Sequence, residues 1–174
     1  MSIQDHYAMV QDHLLIGRCP YDQDEVEAIK TQIGATAILS LQHDECLMRL
    51  NIDYARHEQH GQNIGLVMKR CPLIDHDLHH QQRELPRAVN TLQELLHAGH
   101  QVYVHCTLGI NRAPTVVLAY LTVIEGMSVE NAIRQIRKVR PYADPSWDAL
   151  DAYHHAIFGN APVYENLAGV SERH

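Results

Sequence analysis

The stretch that most constrains the fold is a short strand-like run joined by a tight loop to a long apolar helix. Residues 102–105 read Val-Tyr-Val-His, a β-branched and aromatic run typical of a strand. The apolar spacing of a helix begins near Arg112 and continues to about residue 125. Gly109 lies between them, where glycine can take a left-handed backbone conformation at little steric cost. This stretch therefore predicts a strand, a turn and a helix in direct succession.

The loop at 106–111 begins with a thiol and leads to a guanidinium. A strand–loop–helix of this kind directs successive backbone N–H groups and the positive end of the helix at one point, which favours an anion such as phosphate. The same field stabilises a thiolate, and Cys106 opens the loop. Arg112 adds a planar fork that suits two oxygens of a phosphate. The loop thus combines a nucleophile with a cradle for an oxyanion.

The rest of the chain alternates predicted strands with predicted helices and ends in consecutive helices. The apolar run 37–41 is typical of a central buried strand. Further strands are predicted at 13–17 and 67–73, and the polar, His-rich stretch 42–65 is predicted to be a long irregular loop with a short helix. This order predicts one α/β domain, with a central, mostly parallel sheet flanked by helices.

Caps and prolines indicate where the later helices begin. A helix is predicted over 82–98, and Pro86 fits it only within the first turn. Ser128 is predicted to cap a further helix. The pair Asp144-Pro145 reads as a cap followed by proline at the first helical position, so the last helix is expected to begin there.

Composition limits the classes of partner and compartment. With 174 residues, the chain is expected to form one folded domain at 1–158 followed by a tail at 159–174. The net charge of −7 disfavours a nucleic-acid partner, and the short apolar runs and the lack of a signal sequence disfavour a membrane partner. Four widely spaced cysteines favour reduced thiols and a cytoplasmic location. Cys19, Cys46 and Cys71 are interpreted as packing residues, with a redox-partner role as the alternative for Cys71.

The motif HC-x5-R, present here as HCTLGINR, resembles the signature loop of cysteine-dependent phosphatases. An acidic loop at 74–77, before the cysteine, and an Arg140-Pro141 turn after it lie where the dual-specificity branch has them. Within that branch the chain is most similar to the plant starch-excess glucan phosphatases, and more distantly to laforin-type enzymes. The similar segments are 12–19, 39–42, 70–77, 85–86 and 109–114.

The resemblance implies a dual-specificity phosphatase fold and a reaction through a phosphocysteine intermediate. Cys106 is implied to be the nucleophile, and Arg112 is implied to hold the phosphoryl oxygens together with the loop amides. His105 is implied to order the loop and to help set the thiolate. Asp75 is implied to protonate the leaving oxygen and later to deprotonate the attacking water. The implied phosphate-binding loop comprises His105, Thr107, Leu108, Gly109, Ile110 and Asn111.

Residues around the loop are candidate substrate contacts, with alternatives for some of them. The candidates are His76, Asp77, Arg140 and Tyr142. Asp77 is also the rival general acid, and Arg140 is alternatively a structural anchor. The histidines and aspartates of this acidic loop and its neighbours have side chains that suit zinc or iron, but no matching ligand set occurs elsewhere. Neither a metal nor a cofactor is therefore expected.

Two positions depart from the family pattern. Ala113 stands where many relatives carry Ser or Thr, whose hydroxyl assists departure of the thiolate, so turnover is expected to depend on Asn111 or Thr107 instead. His76 stands where the glucan enzymes carry an aromatic residue between two aspartates. An aromatic platform for a glucan would then depend mainly on tyrosines such as Tyr142.

The sequence favours one function and leaves others open. The favoured function is hydrolysis of phosphomonoesters on phosphotyrosine, phosphoserine and phosphothreonine proteins. A second enzyme hypothesis keeps the mechanism and takes phosphorylated glucan, such as starch or glycogen, as the substrate. A hypothesis of another class is a non-catalytic module that binds phosphorylated ligands, and a metallohydrolase is the most distant alternative.

Overall fold

Five strands form one sheet in the order β1-β2-β5-β3-β4, and seven α-helices surround it in a computed structural model that describes residues 3–159. The strands are β1 Tyr7–Gln11, β2 Leu14–Gly17, β3 Ala37–Gln42, β4 Val67–Leu73 and β5 Val102–His105. The helices are α1 Gln23–Thr31, α2 Asp44–Arg49, α3 Tyr54–Asn63, α4 Leu78–His97, α5 Arg112–Ala119, α6 Val129–Val139 and α7 Trp147–Phe158. A 3₁₀ helix, Ile3–His6, precedes β1, and a π-helical segment, Tyr120–Ile124, extends α5.

The predicted central, mostly parallel sheet is confirmed. Among the described strands, the pairings of β2 with β5, β5 with β3 and β3 with β4 are parallel, and β1 pairs antiparallel with β2. Gly17 and Ser40 are both in register with His105, so β2 ends level with β5 and β3 continues two residues further, to Gln42. Ligands of open α/β sheets bind outside the carboxyl ends of the strands. The loop that follows β5 therefore lies at the position where such a sheet places its site.

Alternate residues of the central strands enter two different cores. In β5, Val102 and Val104 pack with α4, α5, α6 and α7, whereas Tyr103 packs on the opposite face with α1. This alternation follows from the two-residue period of a strand. Because both faces are covered, the strands carry apolar side chains at nearly every position, which explains the continuous apolar run in β3.

The prediction of an irregular loop with one short helix at 42–65 is wrong. The structure has two helices there, α2 and α3. Asp53 caps α3 by accepting a hydrogen bond from the N–H of Arg56 at 3.2 Å. The buried positions of α3 are His57 and Gly61, so the helix has no apolar stripe by which periodicity could have found it.

Helix α4 begins earlier than predicted, and Pro86 lies inside it rather than in its first turn. Asp77 is its N-cap and accepts a hydrogen bond from the N–H of His80 at 2.9 Å. An interior proline costs roughly 3 kcal/mol. The buried residues that flank it, Leu85 and Val89 among them, anchor the helix on the sheet in spite of that cost.

The last helix begins at Trp147 and not at Asp144-Pro145. Asp144 is held in another way, because its N–H donates to the carbonyl of Ile110 at 2.8 Å and its carbonyl accepts from Asn111. Asp144, predicted to cap the helix, is therefore hydrogen-bonded through its backbone to the loop after β5. Ser128 does cap α6, as predicted, and accepts from the N–H of Asn131.

Strand β1 was not predicted, and most of the proposed tail lies outside the described residues. Residues 160–174 are beyond the described part of the chain, so the boundary at 158/159 stays a prediction. None of the helices within 3–159 combines the length and apolar character needed to cross a membrane.

Candidate active site

The loop after β5 wraps around the thiol of Cys106. This side chain is buried, and Gly109 donates its N–H to the sulfur over 3.3 Å. Gly109 has a φ of 68°, the left-handed conformation that the loop needs to turn its amide inward. Its ideal Cβ position would lie 2.4 Å from the carbonyl oxygen of Gly17, so the loop also lies against the end of β2. The predicted tight turn at Gly109 is thus present and directed at the sulfur.

Helix α5 starts at this loop without a side-chain cap. Asn111 occupies the N-cap position but makes no capping hydrogen bond, since its amide donates to the carbonyl of Asp144 at 2.8 Å. The first N–H groups of a helix have no intrahelical partner, and an anion at the N-terminus can take them. The side chain that would otherwise compete for these groups is turned away from them.

Arg112 is a buried cation whose guanidinium is held from several sides. One terminal nitrogen, Nη2, donates to the hydroxyl of Thr107 at 3.1 Å and lies 3.4 Å from a carboxylate oxygen of Asp75. Burial acts to lower the pKa of Arg112, but the neighbouring Cys106, Cys46 and Asp75 outweigh it and raise the pKa, so the side chain stays charged. The Nε atom is buried and has no hydrogen-bond partner among the described residues. A buried charged donor without a partner favours an incoming oxyanion.

His105 supports the start of the loop as a neutral side chain. It is buried, and its Nδ1 lies 3.1 Å from the carbonyl oxygen of Cys106, to which it donates. Burial lowers the pKa of His105 to about 4. The imidazole is therefore uncharged at neutral pH, and it can order the backbone beside the sulfur but supplies no positive charge to it.

The two aspartates of the acidic loop have different positions. Asp75 is near the loop, as its distance from Arg112 shows, and its side chain is 41% exposed, so it can move. Asp77 is committed to the first turn of α4 as its N-cap. His76, between them, has a φ of 58° and a largely exposed side chain. Of the two acids, the geometry favours Asp75 as the proton donor.

Arg140 binds the outer side of the loop through its guanidinium. It donates to the carbonyls of Gly109 at 2.7 Å and Leu108 at 2.5 Å, and to the carbonyl of His6 at 3.2 Å. This geometry matches a structural anchor, because all three nitrogens face backbone oxygens. Tyr142 lies nearby and is highly exposed. Both residues line a groove of about 600 Å³ beside the loop.

The catalytic loop and the acidic loop together enclose a cavity of about 190 Å³. Its lining residues are Asp75, His76, Cys106, Thr107, Leu108, Ile110, Asn111 and Arg112. The predicted nucleophile, cation and acid thus meet at one small cavity, whereas Asp77, Arg140 and Tyr142 do not line it. Within residues 3–159 no group of His, Cys, Asp and Glu side chains is arranged to hold a metal ion.

Two contacts at this site had no sequence signal. Gln42, at the end of β3, donates to the hydroxyl of Thr107 over 3.3 Å. Cys46, interpreted from sequence as a packing residue, accepts a hydrogen bond from Nη1 of Arg112 at 3.2 Å. All four cysteines are free thiols. Helix α2, whose position within 42–65 was not predicted, brings Cys46 to the site.

A family model described as the dual specificity phosphatase catalytic domain matches residues 23–154. This match extends over most of the chain and includes the loop and the acidic loop. The chain belongs to the dual specificity phosphatase family. The resemblance inferred from the signature loop is thereby confirmed.

The relatives that match the chain include a phosphoglucan phosphatase and laforin. The chain is 30% identical over 115 residues to the phosphoglucan phosphatase LSF1 of Arabidopsis thaliana, a match covering 66% of this chain and 19% of LSF1. It is 26% identical over 155 residues to laforin of Mus musculus, covering 83% of this chain and 47% of laforin. The chain thus spans less than half the length of either relative.

A solved structure gives the same dual specificity phosphatase fold. The crystal structure of PTPMT1 superposes with a TM-score of 0.68 at 19% identity, covering 96% of this chain and 99% of that one. At this identity the likeness concerns the fold alone. It agrees with the five-stranded, mostly parallel sheet described above.

Proposed function

We propose that this protein is a metal-independent phosphomonoester hydrolase of the dual-specificity type. The observation that carries the proposal is the meeting of Cys106, Arg112 and Asp75 at one cavity, with an amide directed at the sulfur and an unpartnered guanidinium nitrogen. Family membership supports the same chemistry. No cofactor takes part in the proposed reaction.

In the first step the sulfur of Cys106 attacks the phosphorus atom. A sulfur–phosphorus bond forms as the bond to the ester oxygen breaks, and Asp75 donates its proton to the leaving oxygen. Arg112 and the loop amides hold the non-bridging oxygens, so their charge is stabilised throughout the displacement. The products are the free alcohol or phenol and a phosphocysteine.

In the second step water releases the phosphate. The carboxylate of Asp75 accepts a proton from water, the water oxygen bonds to phosphorus, and the bond to sulfur breaks to leave a thiolate and inorganic phosphate. Ala113 provides no hydroxyl for that thiolate. Asn111 is occupied by Asp144, so the hydroxyl of Thr107, beside Arg112, is the better candidate for assisting departure.

The favoured substrates are phosphotyrosine, phosphoserine and phosphothreonine proteins. The main support is the family description, together with the cavity of about 190 Å³ at the loop after β5. His76 lines that cavity, and both His76 and Asp77 remain candidate contacts for the substrate.

Phosphoglucan is the second candidate substrate. The groove beside the catalytic loop is lined by three tyrosines, Tyr7, Tyr21 and Tyr142, and shares Leu108 and Ile110 with the catalytic cavity. Aromatic side chains offer flat apolar surfaces that suit the faces of sugar rings. The similarity to LSF1 and laforin favours the same candidate.

Hydrolysis of an aryl phosphate in the presence of EDTA tests the proposed reaction. We expect the wild-type protein to release phosphate, Cys106→Ser to release none, and Asp75→Ala to be strongly slowed. Full activity in Cys106→Ser would overturn the mechanism, and loss of activity with EDTA would favour a metallohydrolase. Tight binding of a phosphopeptide by wild type without release of phosphate would favour a binding module.

A substrate panel separates the two candidate substrates. Phosphotyrosine, phosphoserine and phosphothreonine peptides are compared with amylopectin and glycogen, using wild type and Cys106→Ser. Release from the peptides alone would support the protein phosphatase, and preferential release from the polymers would support the glucan phosphatase.

We further propose that 1–158 is the catalytic unit, that 159–174 is a tail, and that the protein acts in the cytoplasm. Its partners are then its phosphorylated substrates, with no nucleic acid or membrane among them. The free thiols and the acidic net charge support this assignment. Microscopy of the tagged full-length protein tests the location.

A further inference from the structure

The guanidinium of Arg112 has one fixed edge and one open edge. A guanidinium carries two N–H groups on each terminal nitrogen and one on Nε. At Nη1 both are used, because this atom donates to the carbonyl of Leu73 at 3.0 Å and to the sulfur of Cys46 at 3.2 Å. Nε has no hydrogen-bond partner within the described chain. Nη2 also donates one N–H to the hydroxyl of Thr107, so the orientation of the open edge is set by the partners of Nη1 together with Thr107.

The two groups that hold Nη1 come from different parts of the fold. Leu73 is the last residue of β4, so its carbonyl is fixed by the sheet. Cys46 belongs to the short helix α2, on the other side of the cation, and it lines a cavity of about 320 Å³ together with Asp75 and Thr107. Without Cys46, Nη1 would keep only the carbonyl of Leu73, and the guanidinium could shift relative to its remaining partners, Leu73 and Thr107.

We propose that Cys46 is a positioning residue for the phosphatase reaction, acting through Arg112. Its sulfur fixes Nη1, so that Nε and Nη2 are directed at the non-bridging oxygens of the phosphoryl group. Cysteine sulfur is a weak hydrogen-bond acceptor, so it restrains the guanidinium without forming the strong ion pair that a carboxylate would form. This inference rests on the proposed function, because it assigns Cys46 to that reaction.

Kinetics of Cys46→Ala and Cys46→Ser test the role. We expect Cys46→Ala to lower kcat/KM for an aryl phosphate about tenfold and to raise the inhibition constant of orthophosphate by a similar factor. Cys46→Ser should recover most of both losses, because its hydroxyl can accept the same hydrogen bond. Met48→Ala is the matched control on the same helix, since Met48 is highly exposed, and it should leave both constants unchanged.

The lysine variant of the cation separates positioning from general stability. Lysine lacks the fork that contacts Cys46, so adding Cys46→Ala to Arg112→Lys should have little further effect on kcat/KM. An equal loss in both backgrounds, or a lower melting temperature with an unchanged inhibition constant, would overturn the proposal. If wild type does not hydrolyse the ester, the proposed function fails. Binding of orthophosphate to Cys106→Ser with and without Cys46→Ala, measured by calorimetry, then still tests the positioning role.

Discussion

Replacing Gly109 with alanine perturbs the catalytic loop at its tightest point. The new Cβ would lie 2.4 Å from the carbonyl oxygen of Gly17, 2.6 Å from its carbonyl carbon and 2.8 Å from Nη2 of Arg140. Restoring ordinary contact distances requires the loop to retreat by about 1 Å. The left-handed φ of 68° adds roughly 1–2 kcal/mol of strain for an L residue.

The retreat of the loop sets the expected loss of activity. The two nearest atoms belong to the backbone of Gly17 at the end of β2, and Gly17 itself lies against the hydroxyl of Tyr103, so the strand has little room to move away. A misplacement of about 1 Å at a catalytic group can cost about 100-fold in rate, equivalent to roughly 3 kcal/mol of transition-state stabilisation. We therefore expect Gly109→Ala to lower kcat/KM about 100-fold.

Gly126→Ala is the matched control for backbone strain. Gly126 has a φ of 70°, and nothing lies within 4 Å of the Cβ that it would gain. It should lose roughly 1–2 kcal/mol of stability and retain wild-type kcat/KM. Aryl phosphate kinetics and urea unfolding of both variants measure these effects. Wild-type kcat/KM in Gly109→Ala, or an equal loss of activity in Gly126→Ala, would refute the reasoning.

Three further predictions concern the acid, the loop histidine and the loop anchor. Asp75→Asn should lower kcat about 100- to 1,000-fold in steady-state kinetics. Asp77→Asn should keep the wild-type kcat, because asparagine can still accept the capping hydrogen bond from His80. Equal losses of kcat in the two variants would contradict this assignment. Burial lowers the pKa of His105 to about 4, so between about pH 6.5 and pH 4 the unfolded chain binds more protons. The free energy of unfolding should therefore decrease as the pH is lowered through that window. His105→Asn should make this pH dependence weaker in urea unfolding, and an unchanged pH dependence would count against the assignment. Arg140→Met removes three hydrogen bonds to backbone carbonyls and should lower kcat/KM at least tenfold. An unchanged kcat/KM would show that the conformation of the loop does not depend on Arg140.

The central part of the fold and site was predictable because it is local in sequence. Strand β5, the loop with Gly109 and the start of α5 follow one another directly, and each has its own composition signal. The sheet was predictable for a similar reason, since strands buried on both faces read as apolar runs. The family resemblance then identified Asp75, which no local pattern connects with Cys106.

The remaining features depend on contacts that periodicity does not record. Helix α3 has a polar buried face, and α4 begins at a turn rich in histidine, so apolar spacing misplaced both regions. Asp144 resembles a helix cap in sequence, yet it binds the loop through its backbone. The hydrogen bond between Cys46 and Arg112 joins residues that are distant in the chain, and nothing in either neighbourhood indicates it.

The most direct test of the central claim is to identify the covalent intermediate. Wild-type protein turning over an aryl phosphate is quenched rapidly in denaturant, and the peptide that contains Cys106 is analysed by mass spectrometry. The mechanism predicts a phosphoryl group on Cys106 that disappears when the substrate is exhausted. Continued turnover with Cys106 unmodified at every quench time would contradict it.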